Sequence, residues 1–495
     1  MDTFTQPTKP RSRYWRWTRL ALLLLLLAWV AMAVYQVYKP LPPGIGQAMP
    51  LRQTADAALL TDVTYMDEQG VRRSEQQVFD EILRLVSQAQ RLVVLDMFLF
   101  NDFAGADAAP PLRALSAELT DALVQRTSEI PGLQAVVITD PINTMYGGLR
   151  SKHLDALRAA GVEVVITDLP RLRAPNPAWS GLWQLCCRWA GNSDRGGWLP
   201  SPFGEGKVSL RSYLALLNLN ANHRKTLVVD EGERWTGLVA TANPHDASSA
   251  HGNAALRFSG QAALDLLRSE KAVSDMSRAA WPSAATAASV DPAVSTGADA
   301  AMQVQVLTEG RIRDALLDAL SRSQRGDELD IAVFYFSHRA LVKAVLDAQR
   351  RGVGLRILLD PNEDAFGRKK NGIPNRQVAL EMHRAGVPLR WCDTHGEQCH
   401  SKFLHRRPRT GEEELIVGSA NYTRRNLDDY NLETSARVLA PADAALMRRA
   451  SAYFEQSWAN TDGRRISLPY PAYADDSRWR YWRYRFTEAT GLSSF

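Results

Sequence analysis

Within the 495 residues one pattern occurs twice, and that repeat constrains the fold more than any other feature. Residues 74–100 read as a helical pattern (SEQQVFDEILRLVSQAQ) followed by an apolar strand ending in aromatics (RLVVLDMFLF). Residues 310–336 do the same, with GRIRDALLDALSRSQ and then ELDIAVFYF. Each is followed by a helix and a second strand closing in Asp-Pro, within 133–148 and 355–367. A further helix and short strand come next (HLDALRAAGVEVVITD and VALEMHRAGVPLRWCD). Each half then ends on a His-x-Lys strand and a small-residue turn ending in Asn. Strands alternating with helices predict βαβ units and a parallel or mixed sheet covered by helices. The expected fold is therefore α/β, a pseudo-symmetric duplication of two lobes with the functional site at their interface.

A second feature fixes where the lobes sit. Residues 20–38 are an uncharged apolar run, LALLLLLLAWVAMAVYQVY, long enough to cross a bilayer as a helix. Arg11, Arg13, Arg16 and Arg19 precede it, so the positive-inside rule puts residues 1–19 in the cytoplasm and the body outside it. Trp15, Trp17, Tyr35 and Tyr38 flank the run as interfacial aromatics. A cleaved signal peptide is the alternative, on the triplet Ala31-Met32-Ala33. The apolar run continues past that triplet, which favours a retained anchor. Residues 1–39 hold six basic residues and one acid, the whole of the net charge of +5. The remaining body is formally neutral and lacks the pull that drives non-specific binding to phosphate backbones.

The divisions expected are a first lobe over 45–282, a linker over 283–301, a second lobe over 302–465, and an aromatic and basic segment over 466–495. The first lobe is the longer, since Asp140 and His223 are 83 positions apart whereas Asp360 and His400 are 40 apart. The extra residues, about 171–215, carry Trp179, Trp183, Trp189 and Trp198. An insertion there belongs at the rim of the site, its tryptophans touching lipid or substrate, or packing a local core. The C-terminal RWRYWRYRF (478–486) reads either as a bilayer-interface segment or as an edge strand or closing segment packed on the body. Four cysteines allow a bridge between Cys392 and Cys399, or between that pair and Cys186 with Cys187. Cys392, His395, Cys399, His400 and His405 raise a zinc alternative, but their spacing fits no common zinc pattern.

The chemistry lies in the repeated motif. NHRKTLVVD supplies His223, Lys225 and Asp230, and HSKFLHRRP supplies His400 and Lys402. Residues two apart on a strand face one side, so each His and Lys are expected to project together. A neutral imidazole can attack phosphorus while lysines hold the non-bridging oxygens, and a second, protonated imidazole can serve the leaving oxygen. One His-x-Lys is weak evidence; two at equivalent points of a repeat are strong. Thr241 and Asn243 in the first turn, and Ser419 and Asn421 in the second, are expected to bind phosphate oxygens. Glu433, twelve residues after Asn421, is expected to accept from the far ring nitrogen of His400. His245 and His251 follow the first turn and could line the site, whereas His153, His338 and His383 lie in helical patterns.

These paired motifs resemble the phospholipase D superfamily over about residues 60–460, nearest its bacterial cardiolipin synthase and phosphatidylserine synthase-like branch. The resemblance implies a phosphodiesterase or phosphatidyltransferase acting on phospholipids through a phosphohistidine, with no cofactor and no metal. The acceptor would be water, an alcohol or phosphatidylglycerol. It assigns His223, Lys225, Asp230, Thr241 and Asn243 to one half-site, and His400, Lys402, Ser419, Asn421 and Glu433 to the other. It makes His223 the nucleophile and His400 the acid, although a Glu433 partner would argue for His400 as nucleophile. It further implies a monomer in the bacterial inner membrane, crossing once, with its body in the periplasm. The sequence departs from the pattern at Arg407, where Asp is expected, at Ala240, which replaces Gly, and at Ala255, where symmetry with Glu433 would put a carboxylate. The rival readings are a nuclease of the same superfamily, disfavoured by the neutral body, and a non-catalytic lipid-binding or scaffold protein, disfavoured by two intact His-Lys pairs.

Overall fold

The computed structural model describes residues 12–103, 112–195, 197–286, 288, 302–365 and 368–492. The first half of the chain supplies an eight-stranded sheet. In chain order its strands are β2 (Ala57–Met66), β3 (Arg72–Glu75), β4 (Leu92–Met97), β5 (Gln134–Thr139), β6 (Glu163–Ile166), β7 (Lys225–Glu231), β8 (Arg234–Ala240) and β9 (Asn253–Ser259). The other sheet has nine strands. These are β1 (Arg52–Thr54), β10 (Met302–Thr308), β11 (Glu328–Val333), β12 (Gly354–Leu359), β13 (Leu389–Cys392), β14 (Lys402–Arg407), β15 (Glu413–Gly418), β16 (Thr434–Ala440) and β17 (Ser467–Pro469).

The first sheet runs β3-β2-β9-β8-β7-β4-β5-β6 and the second β1-β10-β16-β15-β14-β11-β12-β13-β17. From β2 and β10 onward, seven strands match in order and direction. In both, three parallel strands (β4-β5-β6 and β11-β12-β13) adjoin an antiparallel set at the strand that carries Lys225 or Lys402. The mixed α/β fold expected from the alternating pattern is present.

Strand alternation sorts the core. Leu92 and Val94 of β4 face inward with Val306, Phe403 and Val417 of the other sheet, in one cluster. Val93 and Leu95 face outward to the helices at Val78–Gln88 and Leu115–Glu129. The second sheet likewise turns Ile331 and Ile357 to its own outer helices. Inward- and outward-facing residues alternate with the two-residue period of a pleated strand. The two sheets thus share an inner core built from their facing sides.

Helix α1 (Ser12–Tyr38) is long and apolar enough, over Tyr14–Tyr38, to cross a membrane. Residues 14–28 are exposed, whereas the stretch near its end packs on α2 (Pro177–Cys186) of the insertion. The Trp29 indole donates to Ala178 O at 2.8 Å. Of the expected N-terminal segment, residues 1–11 lie outside the described residues, as does most of the expected linker. The edge-strand alternative for 478–486 is wrong: α3 (Arg478–Thr490) is a helix, with Tyr484 buried beneath it. Of the insertion's tryptophans, Trp183 is buried in the body, while Trp189 and Trp198 are 78% and 66% exposed.

The cysteines pair locally, Cys186 with Cys187 and Cys392 with Cys399. No bridge joins the two pairs. The zinc alternative loses its thiols to the second disulfide, and His405 and His395 are engaged by Glu413 at 2.7 Å and Asp393 at 3.0 Å.

Candidate active site

β7 and β14 are central strands, buried on both faces, and their first residues are Lys225 and Lys402. The histidines stand just before them. The His223 N–H donates to Leu432 O at 2.9 Å, and the His400 N–H donates to Gly252 O at 2.7 Å. Each histidine backbone is therefore tied to the other half of the chain.

The side chains cross in the same way. His223 Nδ1 lies 3.0 and 3.1 Å from the two oxygens of Glu433, which comes from the second half. His400 Nδ1 lies 3.3 Å from Asn253 Oδ1, which comes from the first. The expected Glu433–His400 pair is thus overturned. Each histidine's backbone is bonded to the residue just before the other half's partner, Leu432 or Gly252, and within the ladders Ala240 pairs with Ala255 and Gly418 with Ser435, so the residue equivalent to Glu433 is Asn253 and not Ala255. The loop after Asn421 is two residues longer than its counterpart, so Ala255, at the same count from the first turn, is not the equivalent of Glu433.

The hydroxyls expected to bind phosphate are engaged by these partners. Ser419 donates to Glu433, which also accepts from the Asn426 amide. Thr241 donates to Asn253 Oδ1 at 3.0 Å, and Asn253 in turn donates to Asp62 at 3.1 Å. A buried hydroxyl needs an acceptor, and the nearest one belongs to the histidine's partner. Asn243 and Asn421 remain at the two turns, both buried, and Asn421 Oδ1 has no hydrogen-bond partner.

Each lysine turns back on its histidine. Lys225 Nζ donates to His223 O and Lys402 Nζ to His400 O, both at 2.6 Å. Phe98 and Phe334 close the two half-sites alike. Lys225 Nζ sits 4.9 Å from the Phe98 ring centre and Lys402 Nζ 5.4 Å from that of Phe334. The same rings lie 4.9 Å from His223 and 5.3 Å from His400.

Burial governs the protonation states. It pushes His223 down to about 4, although the Glu433 charge opposes the fall. It holds His400 well below the ordinary histidine range, with Lys402, His251 and Lys225 pushing the same way. Both imidazoles are neutral at neutral pH. Glu433 is held below the usual carboxylate value, chiefly by His223 and Lys225 working against its burial, and stays charged. His223 Nδ1–H can then donate to Glu433, leaving the Nε2 lone pair free. Burial also lowers Lys225 to about 7 and Lys402 well below its ordinary value, and the two lysines share one neighbourhood, since Lys225 lowers Lys402.

Asp230 does not stand with His223. A strand rises about 3.3 Å per residue, so five residues carry it roughly 16 Å from Lys225. There its Oδ1 accepts the N–H groups of Arg91 and Leu92 at 2.9 and 2.8 Å, and its Oδ2 takes the Arg91 side chain at 2.9 Å. Its placement is that of a structural cap. At the matching end of β14, Arg407 pairs with Asp330 and Glu328. The carboxylates missing from the second motif are thus supplied by the neighbouring strand β11.

Three positioning features lay outside the motifs. Asp140 accepts the Asn222 N–H at 2.7 Å, and Asp360 accepts the Cys399 N–H at 2.8 Å, so each Asp-Pro carboxylate holds the residue before a histidine. The repeated Asp-Pro was the available signal. His251 lies with its ring 5.8 Å from that of His400, whereas His245 bonds Ser248 at 2.8 Å. Arg224, fully buried beside His223, meets Glu309 Oε1 at 2.8 Å, and the same oxygen accepts the Glu433 N–H at 3.0 Å. Glu309 holds φ +49° and ψ −129°, a strained conformation for a non-glycine residue, and its other oxygen accepts from Gly46 N at 2.7 Å.

Residues 316–458 match the family described as cardiolipin synthase, phospholipase D-like domain. Among solved structures, the phosphatidylserine synthase of Haemophilus influenzae Rd KW20 is similar over 90% of this chain and 96% of its own, at 11% identity and a TM-score of 0.54. Nuc of Salmonella typhimurium, a phospholipase D family member, aligns with 33% of this chain and 97% of its own, at 20% identity and a TM-score of 0.26. No curated protein matches the sequence.

Proposed function

We propose that this chain, which carries a phospholipase D-like domain of the cardiolipin synthase kind and shares the fold of a phosphatidylserine synthase, is a membrane-anchored phosphatidyltransferase using a phosphohistidine. The observation that carries the reading is the crossed pairing of His223 with Glu433 and His400 with Asn253. His223 Nε2 attacks the phosphorus of a phospholipid headgroup ester while Glu433 takes the positive charge developing on the imidazole. Lys225 and Lys402 hold the non-bridging oxygens, with Asn243 and Asn421 beside them. The P–O bond to the headgroup alcohol breaks, and that oxygen takes a proton from His400.

In the second half-reaction His400 removes the proton of an incoming alcohol, whose oxygen displaces His223 and completes the transfer. Water in its place gives hydrolysis. His400 is depressed by burial and by neighbouring cations. A bound phosphodiester brings negative charge between the lysines, opposing those cations and raising His400 into the range of a useful acid. Asp230 is left out of the reaction, and Thr241 and Ser419 act through Asn253 and Glu433.

On this reading the site lies between two copies of one unit, and a single chain supplies both half-sites. α1 holds the body beside its lipid, with the N-terminus inside. Two disulfides in the body fit an oxidising compartment outside the cytoplasm.

The test reconstitutes the full chain in vesicles of mixed phospholipids, with and without glycerol, beside single-stranded DNA. Headgroup release that shifts to phosphatidyl transfer when glycerol is present supports the reading. DNA cleavage without lipid turnover would overturn it.

A further inference from the structure

The body carries an exposed aromatic face that the reaction does not use. On α3, Trp479, Trp482 and Phe486 are 77%, 66% and 61% exposed. Their spacing of three and four residues places them along one side of the helix. The opposite side is clamped to the body. Tyr484 is fully buried, its hydroxyl donating to Ser337 O at 3.1 Å, and Glu488 accepts the Ser337 hydroxyl at 2.7 Å. The helix cannot roll to hide its aromatic side. Arg478 and Arg483 are exposed on the same helix.

The C-terminal end of this helix is joined through the insertion to the membrane-spanning helix. α3 ends at Gly491, whose backbone comes so near Pro175 that a Cβ there would lie 2.0 Å from the Pro175 oxygen. Pro175 leads directly into α2, and Gly181 of α2 lets that helix approach the α1 backbone at Ala33. α2 thus runs beside the last turns of the span, with Leu182 and Leu185 exposed. The insertion that contains α2 leads into Asn220 and Asn222, next to His223. Exposed aromatics beside exposed arginines, set against a span, suit the headgroup level of an anionic bilayer.

We propose that α3 and α2 form a docking platform that seats the body on an anionic phospholipid surface, Trp479, Trp482 and Phe486 entering the interface. This rests on reading α1 as a membrane span. The platform would turn the insertion side of the body, next to His223, toward the lipid, so that substrate can be drawn from the bilayer without crossing water.

All four native cysteines are disulfide-bonded, so an introduced cysteine offers a unique thiol for a spin label. The full chain would carry Trp482→Cys, Phe486→Cys, Asp476→Cys or Leu25→Cys, in vesicles of equimolar phosphatidylcholine and phosphatidylglycerol. Collision rates with oxygen and with a water-soluble nickel chelate report depth. The expected result is an oxygen-to-nickel ratio at 482 and 486 severalfold above that at 476, falling toward it in pure phosphatidylcholine. Labels at 482 and 486 as open to nickel as that at 476, with Leu25→Cys in hydrocarbon, would overturn the platform and leave the anchor standing. Labels shielded from both reagents would also overturn it, in favour of a protein contact. A Leu25→Cys label open to water would remove the membrane reading beneath it. As a second measurement, Trp479→Ser/Trp482→Ser/Phe486→Ser should raise KM severalfold for vesicle lipid and leave turnover of a soluble short-chain phospholipid unchanged; equal KM on vesicles would contradict the proposal.

Discussion

The two half-sites match in backbone and differ in charge. In both, a histidine is tied across the lobes, a lysine folds back on it, a phenylalanine covers it and an Asp-Pro carboxylate caps the preceding residue. What differs is the group behind each ring: a charged carboxylate behind His223 and a neutral amide behind His400. A carboxylate stabilises an imidazole that becomes positive, as a nucleophile does when it forms a bond to phosphorus. An amide orients the ring without holding its proton, which suits a group that must give a proton up. On the proposed reading, that one difference at equivalent positions is what divides the labour of an otherwise matched pair.

The largest effect should come from separating the two histidines chemically. His223→Ala should lower headgroup release by about 10⁴-fold or more on any substrate, as loss of a nucleophile does. His400→Ala should be comparably impaired on natural esters yet give a fast single-turnover burst from a phosphatidyl p-nitrophenol, whose leaving group needs no proton, while later turnovers stay slow for want of the base. Equal loss on that substrate would erase the difference between the half-sites. Glu433→Gln should cost on the order of 10²–10³-fold in kcat. The Glu433 charge raises His223, so its removal should move the acid limb of kcat/KM below about 4; a limb moving upward would contradict the pairing.

Arg224→Met should act on the join rather than the chemistry. It leaves Glu309 and Glu270 buried without their cation, at a cost of about 3–5 kcal/mol seen as a lower thermal midpoint. Asn253→Ala should cost about tenfold in kcat with KM little changed, as loss of an orienting partner does. Asn253→Asp should extend activity to higher pH, because a carboxylate beside His400 raises its pKa and keeps the acid form longer. The smallest effect is expected at the far strand ends. Asp230→Asn should lower stability by about 1–3 kcal/mol and leave kcat unchanged, since it loses a cap and no contact with the site.

The sequence displayed the parts that repeat. Paired His-x-Lys strands, paired Asp-Pro turns and the apolar run at 20–38 were legible because each follows from local pattern or from comparing two copies of it. The crossed partners were not, because they join residues about 150 and 210 positions apart across the lobes. The length difference between the two turn loops then set a residue-for-residue count two places out of register. Asp230 belongs to the motif without belonging to the site, because strand rise alone carries it to the other end of β7. Glu309 and Arg224 had no sequence signal, being single charged residues whose meaning depends on complete burial.

The central claim is that His223 alone carries the phosphatidyl group. The direct measurement is to mix the full chain with a labelled phospholipid, quench in alkaline denaturant within the first turnover, and locate the label by peptide mass spectrometry. Phosphatidyl is expected on the His223 peptide, retained in His400→Ala with the p-nitrophenyl substrate and absent from His223→Ala. Label on the His400 peptide, with none on His223, would contradict it.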